Sequence, residues 1–148
     1  MRPDQVNTAE WKGGWTNLLN DARQNFVPSL PRLMAVSVEL VVGNPGPDED
    51  LLTLSVLDGK GKPVGRLTQR VSTETSGHVL FQFPGRGLKV SPGTPYSLQL
   101  RGGTLFGWKY VVGGYENGDG TFNGKPLVRK ADGTPERSTF LFRTFGAP

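Results

Sequence analysis

Apolar residues recur at every second position through most of this chain. In MAVSVELVV, Val36, Val38, Leu40 and Val42 fall on one face while Ser37 and Glu39 fall on the other. A period of two marks a half-buried β-strand, because successive side chains point to opposite faces. LLTLSVLD repeats the pattern through Leu52, Leu54 and Val56. The turn DGKGKP then leads into VGRLTQRV, an antiparallel partner. HVLFQF alternates through Val79, Phe81 and Phe83, and YSLQL through Tyr96, Leu98 and Leu100. LFGWKYVV, TFLFRTF and RQNFV bring the count to about eight strands.

Short half-buried strands in this number predict an all-β chain: a two-sheet antiparallel β-sandwich of jelly-roll type. An up-and-down barrel is the alternative. The predicted core is Val36, Val38, Leu40, Leu52, Leu54, Val56, Phe81, Phe83, Leu98, Leu100, Phe140 and Phe142. Residues 1–22 read as an irregular N-terminal segment, with NLLNDAR fitting either one helical turn or a loop. The 21 Gly and 12 Pro are spread between apolar runs as turn punctuation, and 148 residues suit a single domain, 1–148.

The absence of Cys removes disulfides, thiol catalysis and thiolate metal sites, and leaves the compartment open. No apolar run approaches the roughly 18 residues of a membrane span. MRPDQVNTAE lacks the apolar stretch of a signal peptide, so the expectation is a protein that is not exported or a chain beginning after the cleavage point. Net charge is +4, but the basic residues are scattered: Lys60, Lys62, Arg66, Arg70, Arg86, Lys89, Arg101, Lys109, Arg129 and Lys130. Without a basic helix or dense run, a solvated surface is preferred over nucleic-acid binding.

Catalytic signals are sparse. The single histidine, His78, starts a strand after Gly77, and Asp48, Glu49 and Asp50 sit in a Pro-rich turn. No nucleophile elbow or phosphate loop occurs, so the chain reads as a non-enzyme. NGDGTFNG resembles half of a calcium loop: with Asp119 at loop position 5, Gly120 takes 6, Asn117 takes 3 and Asn123 takes 9. Tyr115 and Pro126 then occupy positions 1 and 12, where carboxylates belong, so an EF-hand-type site is disfavoured. The turn-forming habit of Asn-Gly and Asp-Gly explains the segment more simply. A structural calcium of another geometry remains a candidate, with Asp4, Glu116, Asp119 and Asn123 as oxygen donors.

Aromatic residues near loops point to recognition. Trp108 and Tyr110 share a strand face, Tyr115 and Phe122 flank the Gly-rich loop, and Trp11 and Trp15 lie near the start. Flat rings pack on the C–H faces of sugars while Asn, Asp, Lys and Arg bond hydroxyls, although a strand Trp in a sandwich also serves as core. Trp11, Trp15 and Tyr115 are expected to be accessible. The candidate ligand-binding residues are Trp15, Trp108, Lys109, Tyr110, Tyr115, Asn117, Asp119 and Asn123.

RQNFVPSLPRLMAVSVELVVGNPG, LTLSVLDGKGKPV, SPGTPYSLQL, FGWKYVVGGYENGDGTFNGKP and STFLFRTFG together resemble a β-sandwich domain of bacterial extracellular proteins, akin to galactose-binding-like jelly rolls and carbohydrate-binding modules. The resemblance runs from about Asp4 to Gly146. It implies a secreted accessory domain, often attached to enzymes or adhesins, and does not fix a ligand; the aromatic residues make a weakly bound polysaccharide or glycan the expected partner. Sugars in such modules bind at end loops, here Trp15, Tyr115 and the 116–124 turn, or on a sheet face, here Trp108 and Tyr110. YENGDGTFNG is longer than the Gly-rich turn usual in the group. The alternative is a structural or protein-interaction sandwich without a sugar ligand.

Overall fold

The computed structural model describes residues 1–44, 46–75, 77–131 and 134–148. Its strands are β1 (Arg2–Asn7), β2 (Gly14–Asn17), β3 (Ala22–Phe26), β4 (Arg32–Val42) and β5 (Glu49–Leu57). They continue with β6 (Pro63–Ser72), β7 (His78–Gln82), β8 (Leu88–Lys89), β9 (Tyr96–Arg101) and β10 (Phe106–Val112). The last are β11 (Gly120–Phe122), β12 (Lys125–Pro126), β13 (Val128–Ala131), β14 (Thr134–Phe140) and β15 (Phe142–Ala147). Two antiparallel sheets result. A nine-stranded sheet runs β1-β15-β4-β10-β14-β13, with β2 on β10 and with β7 and β8 on β4. A six-stranded sheet runs β12-β11-β3-β9-β5-β6.

The apolar faces of both sheets meet in one core. All twelve residues expected there are buried, joined by Phe26, Trp108, Leu33 and Leu18. Burying each such side chain contributes roughly 1.5–3 kcal/mol. Runs of consecutive buried residues interrupt the alternation in β4, β5 and β10, and the run around Leu141 has a clear cause. Thr139, Phe140, Leu141 and Phe142 are all buried because the chain changes neighbours there. Below Leu141 it pairs with β10, and above it with β4. The Leu141 N–H donates to Lys109 and its carbonyl accepts from Glu39 N at 3.3 Å. TFLFRTF is therefore two strands rather than one.

Residues 1–22 are only partly irregular: they hold two strands, with 8–13 and 18–21 outside any strand. β1 pairs with β15, and β2 pairs with β10 from Gly14 opposite Tyr110 to Asn17 opposite Gly107. Their sequences, RPDQVN and GWTN, lack the alternation of a half-buried strand. Strands at a sheet margin form through backbone pairing and need no apolar face. NLLNDAR forms no helical turn; Leu18 is buried and Ala22 begins β3.

Candidate functional site

The sequence candidates separate onto both faces of β10 and into the chain after it. Trp108 points inward and is fully buried. It stacks on Phe140 with centroids 4.2 Å apart, and its indole N–H donates to the Leu141 carbonyl at 3.0 Å. Tyr110 lies on the same inner side, half-buried, its ring over Gly14 and edge-on to Phe140. The sheet-face mode through these two residues is thus corrected: Trp108 is core, with both ring face and polar handle committed.

Tyr115, expected to be accessible, is also core at 5% exposure. Its ring meets Phe142 edge-on at 5.0 Å, and its hydroxyl donates to the Gln5 side chain at 2.6 Å. Burial pushes its phenol up from the ordinary value, against a hydrogen bond from Val27 N that lowers it. The end-loop mode through Tyr115 fails because the residue anchors the chain leaving β10 to the core.

The Gly-rich segment is held by other means. Gly120–Phe122 pairs with β3, and Phe122 stands opposite Lys125 across a two-residue turn. Asn123 and Gly124 both have positive φ, 53° and 77°, the geometry that favours Asn-Gly in hairpins. Asn123 also accepts a hydrogen bond from Asp21 N through its side chain. Asp119 accepts from Arg137 Nε at 2.7 Å, and the same guanidinium donates to the carbonyls of Tyr115 and Gly118. One carboxylate and two carbonyls thus already surround a cation, the guanidinium itself.

The other proposed metal donors lie apart from that clamp. Asp4 accepts from Ser29 N at 2.9 Å, from the Ser29 hydroxyl and from Leu30 N, so it caps the turn after β3. Burial pushes its carboxyl up, but the donors from Ser29, Gln5 and Leu30 outweigh that and hold it below its ordinary value. Glu116 is exposed. Among the described residues no three Asp, Glu or His side chains gather as a metal site. Asn117 borders an open depression of about 710 Å³ with Gln5, Val27, Pro28, Ser29, Pro92 and Gly93.

Two candidates do come together, on the outer face of the nine-stranded sheet. Trp15 stands directly opposite Lys109. The Trp15 ring covers Gly107, and its far edge lies 2.8 Å from where a Gly43 Cβ would stand. Two glycines therefore make a flat bed of backbone, and the indole rests across it with the residue 36% exposed. Glycine within a strand often marks such a close approach. Lys109 Nζ pairs with Glu39 at 3.1 Å and sits 4.5 Å over the Trp11 ring. The Trp11 indole N–H donates to Gly14 O at 2.7 Å, fixing that ring to the start of β2. His78 stands opposite Glu39 across β7 and extends the polar border.

Gly43, Gly107 and Glu39 were missed by the sequence reading. A glycine inside LFGWKYVV was the available signal, but the residue laid over it belongs to a strand that the polar N-terminal sequence concealed. No protein-family model and no curated protein sequence matches this chain.

Proposed function

We propose that this chain is a non-catalytic glycan-recognition module that stacks sugar rings on the outward face of Trp15. The carrying observation is the exposed indole laid flat over Gly43 and Gly107. A ring so supported loses little side-chain freedom on binding and offers a planar apolar surface to the C–H face of a pyranose. Lys109, Glu39 and His78 supply donors and acceptors for hydroxyls. A shallow sheet face encloses little of a sugar, so affinity in the range of about 10 μM to 1 mM, roughly −4 to −7 kcal/mol, is expected. The resemblance of its sequence segments to extracellular modules is the ground for reading it as an exported accessory domain attached to others. Calcium, if bound, belongs to stability and not to this face.

The rival reading, a structural or protein-interaction sandwich, is favoured by the burial of Trp108 and Tyr115. Retention of the Trp15→Ala and Trp108→Ala variants on immobilised neutral polysaccharides, with melting temperature, separates the two. Loss of retention in Trp15→Ala at unchanged stability supports the glycan reading. Undiminished retention in Trp15→Ala, or no retention of the parent protein on any polysaccharide, removes it in favour of the interaction domain.

A further inference from the structure

Basic residues scattered along the sequence converge on the outer face of the six-stranded sheet. Direct cross-strand partners share a face, and the register places them in rows. Arg66 stands opposite Ser55, Ser55 opposite Gln99, and Gln99 opposite Arg23. The adjacent row runs Thr68, Thr53, Arg101, and the next pairs Arg70 with Leu51. With strands ~4.8 Å apart, Arg66 and Arg23 bracket a span of about 14 Å across β6, β5, β9 and β3.

Among the described residues four guanidinium groups share this face with the carboxylates of Asp21 and Glu49, and Asp58 borders it beside Arg23, accepting from Lys60 N and Lys62 N. Asp21 accepts from Arg23 at 2.8 Å and from Gln99 at 2.9 Å; Glu49 pairs with Arg70 at 3.0 Å. Arg66 donates to the Ser55 hydroxyl, and neither it nor Arg101 has a carboxylate partner within ion-pair distance among the described residues. Among the arginines stand Thr53, Thr68 and Gln99, and the row beyond Arg66 and Arg23 adds Ser97 and Asn25.

We propose that this face is a second recognition surface, for a linear anionic polysaccharide lying across the strands. Guanidinium forks match carboxylate and sulfate oxygens bidentately, which accounts for the arginines. The hydroxyls and amides suit the sugar hydroxyls between the anionic groups. Uronate carboxylates and sulfate esters share this chemistry. Single-stranded nucleic acid fits less well, since its recognition relies on aromatic stacking, and the rows of this face carry no aromatic side chain. The proposal does not rest on Trp15, which lies on the other sheet.

The test is chromatography of the intact chain on polygalacturonate, dextran sulfate and neutral dextran over a salt gradient, with single-stranded DNA as soluble competitor. The parent chain is expected to be retained on at least one anionic matrix and to elute with salt. Polygalacturonate alone would assign the uronate, and dextran sulfate alone the sulfate ester. Arg66→Gln/Arg101→Gln should weaken that retention roughly tenfold and flatten its salt dependence by about two charges, while Arg129→Gln on the other sheet should not. Thr68→Glu, which adds a carboxylate between the arginines, should give the same loss and serves if the double variant melts early. Equal retention of these variants, no retention of the parent on either anionic matrix, or DNA competing equally per charge would overturn the proposal.

Discussion

Arg137 Nε donates to Asp119 Oδ1 at 2.7 Å, and its guanidinium also reaches the Tyr115 and Gly118 carbonyls. Of the oxygens that suggest a calcium loop, the Asp119 carboxylate is thus engaged by an organic cation, together with two backbone carbonyls of the same segment. Calcium added after exhaustive chelation is therefore expected to leave the melting temperature unchanged, because Asp119, Asp4 and Asn123 already accept from Arg137, from Ser29 and Leu30, and from Asp21 N. A calcium-dependent rise would show a native-state site and contradict this. Arg137→Ala should lower the melting temperature by about 2–4 °C, in line with about 1 kcal/mol for a partly exposed charged pair.

The glycine bed makes its own prediction. In Gly107→Val the added side chain takes the space of the Trp15 ring and lifts it from the sheet. Polysaccharide retention should fall as in Trp15→Ala, and tryptophan fluorescence should become more quenchable by acrylamide. Unchanged quenching and retention would mean that the ring does not depend on its bed.

Core truncations should separate cleanly from surface ones. Trp108→Ala and Phe142→Ala remove side chains with at most 2% exposure and should each cost roughly 3–5 kcal/mol in urea unfolding. Tyr115→Phe removes only the hydroxyl bonded to Gln5 and should cost about 1 kcal/mol. A Trp108→Ala variant of parental stability would contradict the core assignment.

Asp4 carries a pH dependence. Its folded carboxyl titrates below the ordinary 3.8, so it stabilises the fold fully above that value, and the contribution is lost as pH falls through the lower folded value. Asp4→Asn should melt below the parent protein at neutral pH, with the gap closing under acid. Melting curves from pH 2 to 7 test this; a gap constant with pH would remove the carboxylate from the explanation.

Local alternation was enough to determine the sandwich and its core. Val36, Val38 and Leu40 on β4 and Leu98 and Leu100 on β9 each state their inward face within a few residues, since a strand shifted by one would expose them all. Asn-Gly at 123–124 likewise announced its turn, because few other pairs accept two positive φ values. Edge strands carry no such signal: RPDQVN pairs through its backbone and can be polar throughout. Accessibility of the aromatics was not local either. Tyr115 follows a Gly-rich turn, yet the chain swings it onto Phe142, whereas Trp15 in GGWTN is raised onto a bed whose glycines lie far along the chain. The same holds for charge: Arg23, Arg66, Arg70 and Arg101 look dispersed in sequence, and only the antiparallel register of β3, β9, β5 and β6 sets them on one face. Side-chain period is a property of neighbours in the chain, while a shared surface is a property of strands brought together from afar, so the first was legible in the sequence and the second belonged to the fold.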